Sequence, residues 1–327
     1  MFAHPNPKRA AIIGGGEGAT LREILKHQSI EKVKMIEIDG EMVSFSRTHL
    51  PDWNSCADIE GSAEWCGDDE RADIHNEDGM AWFHNRFSDD GKIDSDEFRE
   101  EPFDILIIDA LDPQDNVAFA DILYTNEAFI KTLYNALSDD GIIVMQLGQS
   151  PMTSNPSEQF STDSKRAFVM SIFEKLGFKS VHVFEEGHCQ FRNPWSYAVA
   201  MKGDSGKSLW YRNAAEIDVA IRKRTFKSIS GKPTLKYFDG GVMEGYQRPP
   251  KPFERVFCRS VPMPESCKYL GEDRVVVSEQ GRKLYDPVAD RHFSQPRGEV
   301  CDYVSPLMKK GGALSESVPE DVKAMCI

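Results

Sequence analysis

The sequence predicts a doubly wound α/β sheet followed by an irregular C-terminal extension. Three observations carry that expectation. Ala11-Ile12-Ile13 runs straight into Gly14-Gly15-Gly16-Glu17-Gly18, and an apolar stripe at helical spacing (Leu21, Ile24, Leu25) begins at once. That order reads as a buried strand, a tight turn and a helix N-terminus. A second apolar run, Met35-Ile36-Glu37-Ile38-Asp39, ends in carboxylates, and Glu37 lies 20 residues beyond Glu17, about where such folds set an acid on ribose hydroxyls. Short apolar runs then alternate with helical patterns through residue 202, the signature of strands joined by helical crossovers.

Each element has its own justification. Gly14, Gly16 and Ala19 fit the G-x-G-x-x-[G/A] spacing, and Thr20-Leu21-Arg22-Glu23 reads as a capping box with Thr20 as the N-cap. Strand two is expected at Val33 to Ile38, with a helix from Glu41 to Leu50 stopped by Pro51. Residues 54–73 are polar and read as an inserted loop. Ala72 to His75 is a short third strand, and a helix follows from Met80 to Phe87. The charged stretch 88–102 resembles half of a calcium-binding EF-hand loop. Arg86 stands where the first oxygen ligand belongs, so it reads as a solvated insertion. Phe103 to Asp109 is the clearest buried strand. A helix from Asn126 to Leu137, a turn at Asp139-Asp140-Gly141, and a strand from Ile142 to Gln146 come next. Ser164 to Leu176 is helical and closed by Gly177, with last strands at Val181 to Phe184 and Ser196 to Ala200. The expected organisation is a core over 1–202, a part packed on it over 203–259 with a helix at Ala214 to Phe226, and a tail over 260–327. The tail has no clear element except Arg274 to Val277.

Composition narrows the partners. The chain has 327 residues, 40% hydrophobic and 10% aromatic, and a formal net charge of -14. It can bury a core, and its field disfavours nucleic acid and anionic membranes while favouring cationic ligands. Seven scattered cysteines without a C-x-x-C pair argue for a reducing compartment, against a disulfide framework and against a zinc site. No apolar run approaches spanning length, so the expected location is cytoplasmic.

The chemistry is expected at the carboxyl ends of the strands. Those ends carry Glu17, Glu37 with Asp39, Asp78, and Asp109 with Asp112. Like charges on one rim repel, and a cationic ligand such as a sulfonium or a polyamine resolves the conflict.

In chain order, Pro5-x-Pro7-Lys8, Gly14-Gly15-Gly16-Glu17-Gly18, Arg22-Glu23-x-x-Lys26-His27 and Glu37-Ile38-Asp39 together resemble the spermidine synthase (polyamine aminopropyltransferase) family. Asp78-Gly79, Asp109-x-x-Asp112-Pro113, Leu123-Tyr124-Thr125, Gln146 and Asn193-Pro194-Trp195-Ser196-Tyr197 continue the pattern. The resemblance covers about residues 3–255, extending loosely through Leu235-Lys236-Tyr237-Phe238-Asp239. It implies a Rossmann-like, methyltransferase-type sheet and transfer of an aminopropyl group from decarboxylated S-adenosylmethionine to putrescine or spermidine. Methylthioadenosine is released, the nucleoside is a co-substrate, and no cofactor or metal is bound. Carried over, Gly14, Gly16, Glu17, Glu37, Asp78 and Gly79 bind the nucleoside, with Glu37 on the ribose hydroxyls, Asp78 and Gly79 on adenine, and Glu17 toward the aminopropyl end. Asp112 holds the acceptor amine and Asp109 accepts its proton. The partners are thus a polyamine and an adenosyl nucleoside, and the resemblance implies a homodimer.

Departures from the family pattern are specific. Ala110 and Leu111 stand where two serines are common, Glu17 replaces an aspartate, and the loop with Leu123-Tyr124-Thr125 leans toward the thermospermine synthase branch. The family's N-terminal β-hairpin domain, which covers the pocket, has no counterpart before the glycine turn. Two other classes share these residues: a non-catalytic nucleoside- or polyamine-binding relative, and a methyltransferase using intact S-adenosylmethionine. The latter must seat a methionine carboxylate that Glu17 and Asp109 would repel. His27 and His188 read as packing or surface residues, and Trp195 and Tyr197 as core aromatics.

Overall fold

The computed structural model describes residues 1–91, 96–113, 117–150, 160–187, 193–249 and 253, with the backbone alone at 160–164. His188 and Cys189, the strand expected at 274–277 and the whole 260–327 tail lie outside the described residues, as does part of the EF-hand-like stretch. The elements run β1 (Arg9–Gly14), α1 (Ala19–Leu25), β2 (Lys32–Glu37), α2 (Gly40–His49), α3 (Pro51–Asn54), β3 (Ala72–Asn76), α4 (Gly79–Phe87) and β4 (Phe103–Asp109). They continue through α5 (Ala118–Thr125), α6 (Glu127–Asn135), β5 (Leu137–Gln149), α7 (Phe160–Leu176), β6 (Ser180–Glu186), β7 (Trp195–Met201), α8 (Ser205–Trp210), α9 (Ala214–Arg224) and α10 (Gly240–Tyr246).

The strands form one 7-stranded sheet in the order β3-β2-β1-β4-β5-β7-β6. β7 pairs antiparallel with both β5 and β6, while the pairings among β1 to β5 are parallel. Strands buried on both faces read as unbroken apolar runs, and alternate residues serve opposite layers. Ala11, Ile13, Leu106 and Ile108 face the layer of α4, α5, α6 and α7, where Trp82, Phe83, Phe103 and Phe173 are fully buried. Ala10, Ile12, Val33 and Ile105 face the other layer, built from Leu21, Ile24 and Leu25 of α1, Trp210 of α8, Ile217 of α9 and Met243 of α10. Helix starts follow local chemistry: Asp39, Asp78, Asn126 and Asp239 each accept a backbone N–H from their own first turn, and Asn213 with Glu216 forms a reciprocal capping box.

Four expectations need correction. Thr20 does not cap α1: the cap is Gly18, whose left-handed backbone (φ 81°) already turns the chain and starts the helix at Ala19. Glu23, freed from that role, pairs with Lys26 at 2.6 Å and Arg22 at 2.9 Å. Asp139-Asp140-Gly141 is not a turn before β5. It lies inside the strand, in an irregular stretch where the partner of Phe103 is Leu137 and that of Ile105 is already Ile142. A separate helix, α5, precedes α6, and the C-terminal part contains α8 and α10 besides the expected helix.

The fourth correction concerns cysteine. Cys56 and Cys66 are joined by a disulfide, so cysteine usage no longer argues for a reducing compartment. An odd total cannot exclude a pair that a reversing loop brings together. Here Cys56 N–H donates to the Glu64 carbonyl at 2.8 Å, and Ser55 pairs with Trp65. Closing a loop with a sequence separation of 10 stabilises by about 2–3 kcal/mol through the unfolded state. The Cys56→Ser, Cys66→Ser double variant is therefore expected to unfold at lower urea than the oxidised wild type. Identical midpoints would show that the bond contributes nothing.

Candidate active site

The site begins where β1 and β4 end side by side. Gly14 pairs with Asp109 in parallel register and takes φ +87°. A β-carbon there would sit 2.2 Å from the Asp109 carbonyl oxygen, so the position admits glycine alone. Gly15 N–H donates to that same carbonyl at 3.1 Å, and the chain then swings toward β2. Gly16 N–H donates to Glu37 Oε2 at 3.1 Å, while Asp39 N–H donates to Glu37 Oε1 at 2.9 Å. The Glu37 carboxylate is thus aimed by backbone from both flanks, with a further lone pair on each oxygen free to accept.

Asp109 meets Thr20, whose hydroxyl donates to Oδ2 at 2.5 Å. Glu17 faces the same space. Burial first, then the charge of Asp109 and more weakly that of Glu37, push its carboxyl above the usual range. Asp112 is also pushed up by burial, opposed by the Arg166 guanidinium and a Gln146 hydrogen bond. The loop carrying Asp112 is fastened to the sheet by Gln146, which donates to the Ala110 carbonyl and accepts from Trp195 Nε1 at 2.8 Å. The Tyr124 hydroxyl lies 2.9 Å from both the Leu111 and Gln146 carbonyls.

A carboxylate with a raised pKa contributes stability that is present at low pH and lost as pH rises through the shifted value. Ionised Glu17 therefore burdens the fold at neutral pH, and a cation held beside it would relieve that burden. Glu17→Gln is expected to melt at higher temperature than wild type at pH 7 without ligand, the gap closing as pH falls through the carboxylate range. A lower melting temperature at pH 7 would show that ionised, buried Glu17 carries no such burden.

The structure brings Gly14, Gly16, Glu17, Glu37 and Asp109 into one cluster, with Asp112 on the adjoining loop. Asp78 and Gly79 follow the edge strand β3, at the same carboxyl end of the parallel strands. Asp78 Oδ1 accepts from Met80 N–H at 2.8 Å and Ala81 N–H at 3.3 Å. A β-carbon on Gly79 would meet Ile13 Cγ2 at 2.9 Å, so that glycine is needed for seating α4 on β1 whatever else it does. A cavity of about 500 Å³ opens beside Asp78, walled by Met80, His84, Ile122 and Phe129. A second, of about 450 Å³, lies behind Thr20 on the opposite sheet face, walled by Ile107, Val144, Phe184 and Trp210.

His27 is buried among apolar groups, edge-on to Phe2 at 5.0 Å, and burial holds it neutral, in keeping with a packing role. Trp195 does more than fill the core, because it holds Gln146. Thr20 joins the site through Asp109 rather than through a cap, and its place two residues past a glycine turn is the signal in the sequence. Ile38, immediately after Glu37, is 70% exposed.

Sheet order, glycine turn and acid rim define a Rossmann-like α/β protein of the methyltransferase type. The spermine/spermidine synthase domain matches residues 1–176, and the chain belongs to that family. Among curated proteins it is similar to the polyamine aminopropyltransferase of Thermococcus onnurineus, at 32% identity over 206 residues, covering 62% of this chain and 59% of that one. It is also similar to polyamine aminopropyltransferase 1 of Hyperthermus butylicus, at 39% over 168 residues, covering 51% and 50%. The chain thus spans little more than half the length of these relatives. Among solved structures, a spermidine synthase in complex with the transition state analogue AdoDATO superposes with TM-score 0.57 at 27% identity, covering 78% of this chain and 71% of that one. The spermidine synthase from Thermotoga maritima gives 0.54 at 27%, covering 78% and 70%. Among the described residues no helix is long and apolar enough to cross a membrane.

Proposed function

We propose that the chain is an aminopropyltransferase that moves an aminopropyl group from decarboxylated S-adenosylmethionine to putrescine or spermidine. The observation that carries this reading is the gathering of Glu17, Asp109 and Glu37 around the glycine turn at the ends of β1, β2 and β4, a set of acids that a sulfonium and an ammonium would neutralise. Named relatives of the same family support it. In the proposed step the acceptor amine loses a proton to Asp109, and its lone pair attacks the carbon beside sulfur. The carbon–sulfur bond breaks with its electron pair going to sulfur, which leaves as the neutral thioether methylthioadenosine. Glu37 orients the ribose, Asp78 the adenine, Glu17 faces the aminopropyl ammonium, and Asp112 holds the acceptor's charge. The positive sulfur makes the leaving group good in its own right.

Calorimetry with methylthioadenosine, decarboxylated S-adenosylmethionine and S-adenosylmethionine tests the ligand. The first two are expected to bind more tightly, because the third brings a carboxylate against Glu17 and Asp109. Tighter binding of the carboxylated nucleoside would overturn the reading. Chromatography of products formed with putrescine and with spermidine then identifies the acceptor. Nucleoside binding without transfer to either would mark a binding relative instead.

A further inference from the structure

We propose that Thr20 is a positioning residue for proton transfer, fixing which oxygen of Asp109 meets the acceptor amine. The inference rests on reading Asp109 as the proton acceptor. An aspartate's terminal torsion is broad and nearly two-fold, so a carboxylate closing a strand can present either oxygen to its ligand. Here the choice is made. Thr20 Oγ1 donates its single proton to Oδ2 at 2.5 Å, a charge-assisted contact of the short, strong kind. That oxygen also lies against the glycine turn, 3.4 Å from where a β-carbon on Gly15 would be. Among the described residues Oδ1 accepts no hydrogen bond, which leaves it for the ammonium.

The donor is itself held rigidly. Thr20 sits in the first turn of α1, whose Leu21, Ile24 and Leu25 are buried. The backbone to which Asp109 belongs is clamped to the glycine turn that leads into α1, by Gly15 N–H at 3.1 Å. Helix and strand end therefore move as one body, and the hydroxyl transfers that rigidity to a side chain that would otherwise rotate. A β-branched residue with a hydroxyl suits the place because its first torsion is stiff. The capping role that the sequence suggests for this threonine is already filled by Gly18, so the hydroxyl is available for Asp109.

Thr20→Val removes the hydroxyl at nearly constant shape, and Thr20→Ser keeps the hydroxyl while losing the methyl group. Single-turnover aminopropyl transfer at saturating nucleoside and acceptor is expected to fall roughly 10-fold to 10²-fold in Thr20→Val, as a small misplacement of a reacting group does. Thr20→Ser should restore most of the rate, with nucleoside affinity and acceptor KM near wild type in both. Thr20→Val turning over like wild type, or Thr20→Ser failing alongside it, would overturn the proposal.

A second measurement does not depend on turnover. The ¹³Cγ resonance of Asp109, assigned by its loss in Asp109→Asn, should move in Thr20→Val and stay in place in Thr20→Ser. If wild type transfers nothing, the aminopropyltransferase reading fails by itself. The resonance then still decides the contact, and an unmoved signal in Thr20→Val refutes it.

Discussion

Asp109→Asn is expected to lower single-turnover aminopropyl transfer by a factor of roughly 10²–10⁴, the range for losing a general base. The substitution keeps size and most hydrogen-bonding capacity but removes the charge and the lone pair that would take the acceptor's proton. Nucleoside affinity should change little, because Glu37 is aimed by Gly16 and Asp39 rather than by Asp109. Asp112→Asn should act chiefly on acceptor KM, since its loop lies beside the proposed reaction centre. The two variants therefore separate proton transfer from acceptor binding. Turnover of Asp109→Asn within a few-fold of wild type would remove Asp109 from the mechanism.

The second large effect is on the fold. Gly14→Ala must hold an L-residue at φ +87° and place a methyl group 2.2 Å from a backbone carbonyl. Left-handed strain costs about 1–2 kcal/mol, and overpacking against an atom that cannot step aside adds about 1–3 kcal/mol. Gly177 supplies the control, for its φ is +85° and nothing lies within 4 Å of the added carbon. Urea unfolding should show Gly177→Ala losing only the strain and Gly14→Ala losing both contributions. Equal losses would mean that the approach of β1 to Asp109 is not what requires glycine.

The parts of this architecture legible beforehand were those where local pattern and burial agree. Phe103 to Asp109 is legible to the residue because both faces of a central parallel strand are covered, which leaves an unbroken apolar run. The rim acids were legible because parallel strands that share a direction must end on one side. What escaped depended on distant partners or on conflicting local signals. The polar triplet at Asp139 imitates a turn, yet Asp140 accepts from Ser205 at 2.7 Å and the Gly141 carbonyl accepts from Lys202, which hold it in the strand. Thr20 and Glu23 have the spacing of a capping box, but a left-handed glycine upstream starts the helix first. The Cys56–Cys66 bond needed knowledge of how the insertion doubles back. Gln146 stood inside a recognised motif, and only the tertiary arrangement shows it tying the Asp112 loop to Trp195.

The double backbone grip on Glu37 has a thermodynamic consequence. Flexible carboxylates lose rotamer freedom when a ligand orders them, and that entropy is subtracted from affinity. Here the loss is incurred when β2 and the glycine turn fold, before any nucleoside arrives. In the proposed nucleoside complex the ribose hydroxyls would meet an acceptor already pointing at them, and association on this side of the pocket would proceed as docking to a preorganised surface.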